Sequence, residues 1–310
     1  MIRGYRNYHI TRRLLVGILL TATLILPVCA CGTTAPTATL ALVTFPDGNL
    51  ETAIRGAIDK PEGPIYTSDL ESLTVLDAMG RGINDISALA SLTNLQRLDL
   101  AQNNISDLSP LAGLSKLQAL HLAGNSISDI SPLAGLTNLQ GLRLWNNSIG
   151  DLSPLAGLSD LYELHLAGNN VNDISPLAGL TNLQELWLSG NSISDISPLA
   201  GLTNLEVFHL AGNNINDISP LAGLSKLYEL GLADNNINDI SALAGLINLD
   251  AIDLSGNNIS DISALAENSG LSDASSWDED FVHLSGNPLS VDSINGYIPQ
   301  LEARGVNVAY

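Results

Sequence analysis

The sequence predicts an α/β repeat solenoid. It is a horseshoe or arc with a parallel sheet on the concave face, 3₁₀ or turn segments on the convex face, and helical caps at both ends. Three observations carry this. A 22-residue period runs through the chain, with Leu73, Leu95, Leu117, Leu139, Leu161, Leu183, Leu205, Leu227 and Leu249 opening nine successive units. Each unit opens on an LxxLxL pattern, as in "LQELWLSGNSISDISPLAGLTN" at 183–204. Each then runs through a "DISPLAGL"-like segment whose Ile or Leu, second Leu and third Leu can point into a shared core. Self-similarity at a fixed period of this length marks stacked units, each too small to bury its own apolar face.

The elements follow in chain order. Arg3, Arg6, Arg12 and Arg13 precede an apolar run from Leu14 to Val28. That run is short for a spanning helix and suits a secretion signal. "VCAC" at 28–31 resembles a bacterial lipobox, with Cys31 as the residue to be lipidated, so 1–30 reads as a lipoprotein signal peptide. A plain secretion signal and a retained anchor are the alternatives. "TRRLL" at 11–15 resembles a twin-arginine signal, but ordinary positive flanking charge explains it better. Both cysteines, Cys29 and Cys31, fall in this segment, so no disulfide framework and no cysteine metal site is expected. Residues 31–43, rich in Thr, Ala and Pro, read as a tether.

Residues 44–72 read as an N-terminal helical cap. Thr44 and Asp47 have capping-box spacing, Leu50, Ile54 and Ile58 form an apolar stripe, and Glu51 stands four residues before Arg55. Ser68 and Glu71 repeat the capping-box spacing.

Residues 73–270 hold the nine repeats. In each LxxLxL the leucines face inward on a short strand. Stacked strands form a parallel sheet whose inner side needs cover. Ile196, Leu199 and Leu202 supply it in the quoted copy, and Pro198 suits the start of a 3₁₀ turn. The frame resembles the leucine-rich repeat family, specifically the 22-residue bacterial kind of the internalins, over roughly residues 45–310. The resemblance implies a curved solenoid that recognises a partner without catalysis.

Two polar columns run along the stack. The first is Asn103, Asn125, Asn147, Asn169, Asn191, Asn213, Asn235, Asn257 and Asn287. Buried amides are costly unless paired, so this column reads as a ladder bonded to the backbone of neighbouring turns. Arg81 replaces Asn in the first unit, which has no upstream repeat to serve. The second is Asp85, Asp107, Asp129, Asp151, Asp173, Asp195, Asp217, Asp239 and Asp261, each two residues before a serine. There it can accept from backbone N–H groups where the turn begins. One carboxylate per unit makes a poor oxygen cage for a cation.

Residues 271–310 read as an irregular last repeat and C-terminal cap. Asn257 to Asn287 spans 30 residues rather than 22, placing an eight-residue insertion around "SDASSWDEDF". "NPLSVDSINGYIPQLEARGVNVAY" then reads as two helical turns, a stop at Gly305 and an edge strand.

Function is expected where the repeats vary. The slot between the last two leucines of LxxLxL faces solvent. It reads Asp77, Asp99, His121, Arg143, His165, Trp187, His209, Gly231, Asp253 and, in the irregular unit, His283. The candidate ligand-binding strip is His121, Arg143, Trp145, Tyr162, Glu163, His165, Glu185, Trp187, His209, Tyr228 and Glu229, with His283 outside it. Aromatic and Arg anchors on a face with no core to fill are what binding sites use. A plain tolerance of large polar residues is the competing reading.

His121, His165 and His209 lie two strands apart, ~10 Å, with Arg143 and Trp187 between them, so no zinc site and no cofactor is expected. Three imidazoles near Glu163 and Glu185 would gain charge below about pH 6.5. Glu163 and Glu185 are cross-strand neighbours at a separation of about 5 Å, close to that of a retaining glycosidase, but an open sheet encloses no substrate. No GxSxG, HExxH or phosphate-loop motif is present.

Beyond Cys31 the chain holds eight basic and 32 acidic residues, a net charge of −24, which repels nucleic acid and anionic lipid. The expectation is therefore a monomeric, non-catalytic binding module at the bacterial cell envelope, held by a lipid on Cys31, whose ligand is a protein or a glycan. A secreted form is the alternative location. The rival functions are a structural or adhesive envelope protein and, less favoured, a carboxylate-based glycoside hydrolase.

Overall fold

The computed structural model describes residues 41–271 and 281–310. The signal, Cys31, most of the tether and, except for Phe281, the stretch "SDASSWDEDF" around which the insertion is expected lie outside these residues.

Eleven strands of three residues each form one parallel sheet in strict chain order. They are β1 (Val75–Asp77), β2 (Arg97–Asp99), β3 (Ala119–His121), β4 (Gly141–Arg143), β5 (Glu163–His165) and β6 (Glu185–Trp187). After them come β7 (Val207–His209), β8 (Glu229–Gly231), β9 (Ala251–Asp253), β10 (Phe281–His283) and β11 (Asn307–Ala309). Equivalent residues stand opposite each other, so Leu164 pairs with Leu186 and Leu186 with Phe208. The expected parallel sheet is thus the observed one, and its register is that of the repeat.

In β2 to β10 the central residue of the strand and the leucine just after it point inward; Leu186, Leu188, Phe208 and Leu210 are fully buried. On the far side, 3₁₀ turns such as Ser197–Leu199 close the layer, with Pro198 in the first turn. Ile196, Leu199 and Leu202 are at most 1 % exposed. Successive three-residue bonds run from Leu199 N to Ile196 O, Leu202 N to Leu199 O and Leu205 N to Leu202 O, each 3.0 Å, and carry the chain back to the next strand. Each such leucine contributes roughly 1.5–3 kcal/mol relative to solvent exposure, and stacking spreads that gain along one continuous core.

All nine ladder asparagines do what the frame requires. Asn191 donates from Nδ2 to Leu166 O (3.1 Å) and Leu188 O (2.9 Å), and its Oδ1 accepts from Val171 N at 2.9 Å. Asn103 does the same for the first repeat, reaching Ala78 O and Ile83 N. The ladder therefore serves the upstream unit. In front of the first repeat Asp47 takes over, its Oδ2 accepting from Asn84 N and Asp85 N. In the Asp column every carboxylate accepts from the N–H two residues on, for example Asp195 from Ser197 N and Asp217 from Ser219 N, both 2.8 Å.

A second ladder was not read from the sequence. Asn94, Asn138, Asn182, Asn204 and Asn248 donate to backbone carbonyls of the preceding unit, as Asn182 does to Ser159 O at 2.9 Å. Lys116 and Lys226, which occupy this column in two other repeats, donate to Asn94 and Asn204.

The N-terminal cap contains α1 (Gly48–Ala57) and α2 (Thr67–Leu70). The expected pairing of Thr44 with Asp47 does not form. Asp47 is itself the N-cap, accepting from Asn49 N and Leu50 N, because Pro46 disfavours helical backbone at Phe45, where a helix capped by Thr44 would have to begin. Glu51 pairs with Arg55 at 2.7 Å. The Ser68–Glu71 box is also displaced by two residues: Asp69 accepts from Tyr66 N at 2.8 Å. Residues 41–43, placed in the tether by composition, pair with 65–67 through Val43 N to Ile65 O and Thr67 N to Ala41 O.

At the other end α3 (Ser263–Glu267) replaces the 3₁₀ turn of the ninth repeat. A π-helical turn over Ser293–Tyr297 runs into α4 (Ile298–Glu302). Gly305, at φ 89°, turns the chain into β11, as expected of a stop. Among the described residues, no helix is long and apolar enough to cross a membrane.

Candidate functional site

The strand register places His121, Arg143, His165, Trp187 and His209 in one row across β3 to β7. Every side chain in the row lies between core and solvent, since the residues before and after it are buried. The row is not a set of independent side chains.

At its centre Arg143 Nε bonds Glu163 Oε1. Burial pushes the Glu163 carboxyl up, but the hydrogen bond and charge of Arg143 outweigh this and leave it below the ordinary Glu value. Arg143 is affected in the opposite sense: burial lowers its pKa, and Glu163 raises it further than burial lowers it. Opposite Glu163 stands Gly141, where a Cβ would sit 3.6 Å from Glu163 Oε2.

His165 leans toward two carboxylates. Its Nε2 is 3.4 Å from Glu163 Oε1 and 3.8 Å from Glu185 Oε2. Neither oxygen is in hydrogen-bonding geometry, so Nε2 is buried without a hydrogen-bond partner among the described residues, as is Nε1 of the adjacent Trp187. The rings of His165 and Trp187 are tilted at 47° with centroids 5.3 Å apart.

Trp187 then stacks on His209 at 3.9 Å and 16°. His209 Nε2 lies 2.8 Å from Glu229 Oε1. Gly231 is the register partner of His209, and a Cβ there would run into the imidazole.

The remaining strip residues lie around this row. His121 Nδ1 pairs with Asp99 Oδ2 at 3.1 Å. Trp145, just past β4, is 36 % exposed. Tyr162 faces a shallow polar groove with Gln140, Asp160, Asn182, Gln184 and Asn204. The pKa of Tyr228 is raised, first by burial and then by the carboxylates of Glu229, Glu185, Glu206 and Asp250. His283, on β10, pairs with Asp253 at 3.3 Å and stands apart from the row.

One expectation needs correction. The three imidazoles do not gather around Glu163 and Glu185. Only His165 does, because each ring turns to the carboxylate within its own reach, Asp99 for His121 and Glu229 for His209. Sequence reasoning also left three residues out of the strip. Asp99 was visible as the neighbour of His121 in the same slot. Gly231 and Gly141 were visible as glycines inside strands, where a close approach by a neighbouring group is the usual reason.

Two repeat models match. One, described as leucine rich repeats in two copies, covers residues 71–113, 93–135, 115–157, 137–179 and 181–223; the other, a leucine rich repeat, covers 203–259. The chain belongs to the leucine-rich repeat family. Among solved structures, internalin C2 of Listeria monocytogenes is 40 % identical, with a TM-score of 0.68 over 70 % of this chain and 99 % of that one. An internalin (inlF) of the same organism is 31 % identical, with a TM-score of 0.67 over 89 % and 92 %. The leucine-rich repeat ectodomain of the Arabidopsis thaliana receptor kinase GASSHO1/SCHENGEN3, solved in complex with CASPARIAN STRIP INTEGRITY FACTOR 2, is 26 % identical, with a TM-score of 0.61 over 73 % and 28 %. No curated protein matches the chain. In leucine-rich repeat terms, the row of rings and charges occupies the solvent-facing strand slot of repeats three to seven.

Proposed function

We propose that the chain is a non-catalytic protein-binding module, exported to the bacterial envelope, that holds its partner along the row from His121 to His209. The observation that carries this is the ring series His165–Trp187–His209 beside Arg143 and Trp145. Large rings lie across a solvent-facing sheet where no core needs filling. Such anchors dominate binding energies at interfaces. The likeness to internalins and to a receptor ectodomain held in a complex supports the same reading.

Export and a lipid on Cys31 complete the proposal. They rest on the basic, apolar and "VCAC" segments at the N-terminus. The surplus of carboxylates favours a neutral or cationic partner surface over nucleic acid. Glu163 is a poor general acid, because Arg143 holds it ionised, and this weighs against the glycosidase reading.

The test is a binding screen of the exported protein against whole cells, their surface proteins and a glycan array. Alanine at Trp187, Arg143 and Trp145 should remove most binding without unfolding the chain. Binding unchanged in all three variants would move the site off this face, and glycan-only binding would replace the protein partner with a saccharide. Mass spectrometry of the exported N-terminus should find a diacylglycerol-bearing Cys31; an unmodified Cys31 would remove the anchor.

A further inference from the structure

The three imidazoles of the row stay two strands apart, but β5 and β6 assemble a different donor set. We propose that Glu163, His165 and Glu185 form a site for one divalent transition-metal ion, Zn²⁺ in preference to Mg²⁺ or Ca²⁺, with a coordination position open to the concave face.

Geometry carries the argument. One ligand atom from each residue lies within 4.8 Å of the others. His165 Nε2 is 3.4 Å from the Glu163 oxygen and 3.8 Å from the Glu185 oxygen. A tetrahedral Zn²⁺ with bonds of about 2.1 Å keeps its ligand atoms about 3.4 Å apart. The two His165 distances are near that spacing, and the carboxylate oxygens, within 4.8 Å of each other, reach it when Glu185, whose side chain is 37 % exposed, rotates toward the ion.

The second observation is independent of spacing. His165 Nε2 is buried and meets no hydrogen-bond partner among the described residues, although two carboxylates face it. An orphaned buried ring nitrogen calls for a proton donor or an ion. Neutral imidazole with two carboxylates is a donor set of borderline character, which suits Zn²⁺ better than the all-oxygen cages of Mg²⁺ and Ca²⁺. Three protein ligands leave a fourth position for water or for a donor group of a bound partner.

Arg143 bonds the same Glu163 oxygen, Oε1, that faces His165 Nε2, so it fixes that carboxylate's direction while competing with the ion for that oxygen. Its positive charge also repels the ion, so the site is weaker than a closed structural zinc site. Trp187, with its ring centred 5.3 Å from that of His165, reports on occupancy.

The experiment titrates the full chain with ZnCl₂, following heat and tryptophan fluorescence. Wild type should bind one equivalent with a change in Trp187 emission. His165→Gln and the near-isosteric Glu185→Gln should each weaken that equivalent by about 10-fold or more, while Glu302→Gln, in the C-terminal cap, should keep it. MgCl₂ at equal concentration should not compete. The proposal fails if no equivalent appears, if the equivalent survives both His165→Gln and Glu185→Gln, or if Mg²⁺ displaces Zn²⁺ at parity. Because the readout is metal binding alone, failure here leaves the partner-binding proposal standing, and the reverse also holds.

Discussion

The indole of Trp187 stacks on the imidazole of His209, 3.9 Å apart and 16° from parallel, with Glu229 gripping the far side of the same imidazole. The stack exists because residue 231 has no side chain. Gly231→Ala should push the His209 ring off Trp187. Overpacking of this kind costs about 1–3 kcal/mol where the ring cannot escape, and less where it swings outward. Denaturant unfolding gives the cost, and a shifted tryptophan emission reports the lost stack. Unchanged emission would mean that the ring is placed by something other than the gap at 231.

The Asn ladder predicts a position-dependent cost. Asn191→Ala removes an acceptor for Val171 N and a donor for Leu166 O and Leu188 O, all in the middle of the stack. Leaving such groups unpaired costs about 1–3 kcal/mol each, partly relieved by water. A loss of about 2–4 kcal/mol in the unfolding free energy is expected. Arg81→Ala, in the same column but exposed and ahead of the first repeat, should stay within about 0.5 kcal/mol. Equal effects at both positions would overturn the ladder account.

Backbone conformation makes a third prediction. The residue before the ladder Asn has positive φ in every repeat, and it is glycine except at Gln102 (56°), Asn146 (55°) and Asp234 (53°). Asn and Asp tolerate this region, whereas Gln does so at a strain of about 1–2 kcal/mol. Gln102→Gly relieves that strain and loses part of it to chain entropy. A net gain of about 0.5–1 kcal/mol in denaturant unfolding is expected, with a smaller gain for Asn146→Gly.

Acid stability follows from the Asp column. The carboxyls of Asp129, Asp173, Asp195 and Asp239 are held below 3.8 by hydrogen bonds from the serine two residues on. Asp47 is lowered too: burial raises it, but four backbone N–H groups together lower it further. A depressed folded pKa means the stabilisation is complete above the unfolded value and is lost as pH falls through the folded one. Stability against urea should therefore begin to fall as pH drops toward about 4 and continue falling below it. Asp173→Asn and Asp195→Asn together should flatten that fall. A wild-type decline centred near neutral pH would place the titration elsewhere.

Much of the fold was legible because the period imposes it. Once Leu183, Leu186 and Leu188 are seen to recur every 22 residues, strand direction, register and the solvent-facing slot follow by translation. The candidate row was legible for the same reason. The caps were less so. Capping-box spacing occurs at Thr44–Asp47 and at Ser68–Glu71, yet the bonds form around Asp47 and Asp69, because backbone direction after Pro46 and the turn at Tyr66 choose among several possible donors and acceptors.

The sequence by itself determined which residues share a column, since equal spacing in a parallel stack leaves no other arrangement of lowest free energy. Only the tertiary structure decided which neighbour each polar side chain takes. Side chains as long as Arg143, Glu163 and Glu185 reach several partners of similar spacing, and rotamers, gaps at glycines and local burial select among them. That selection gave Asp99 to His121 and Glu229 to His209, and left His165 Nε2 facing two carboxylates without a hydrogen bond.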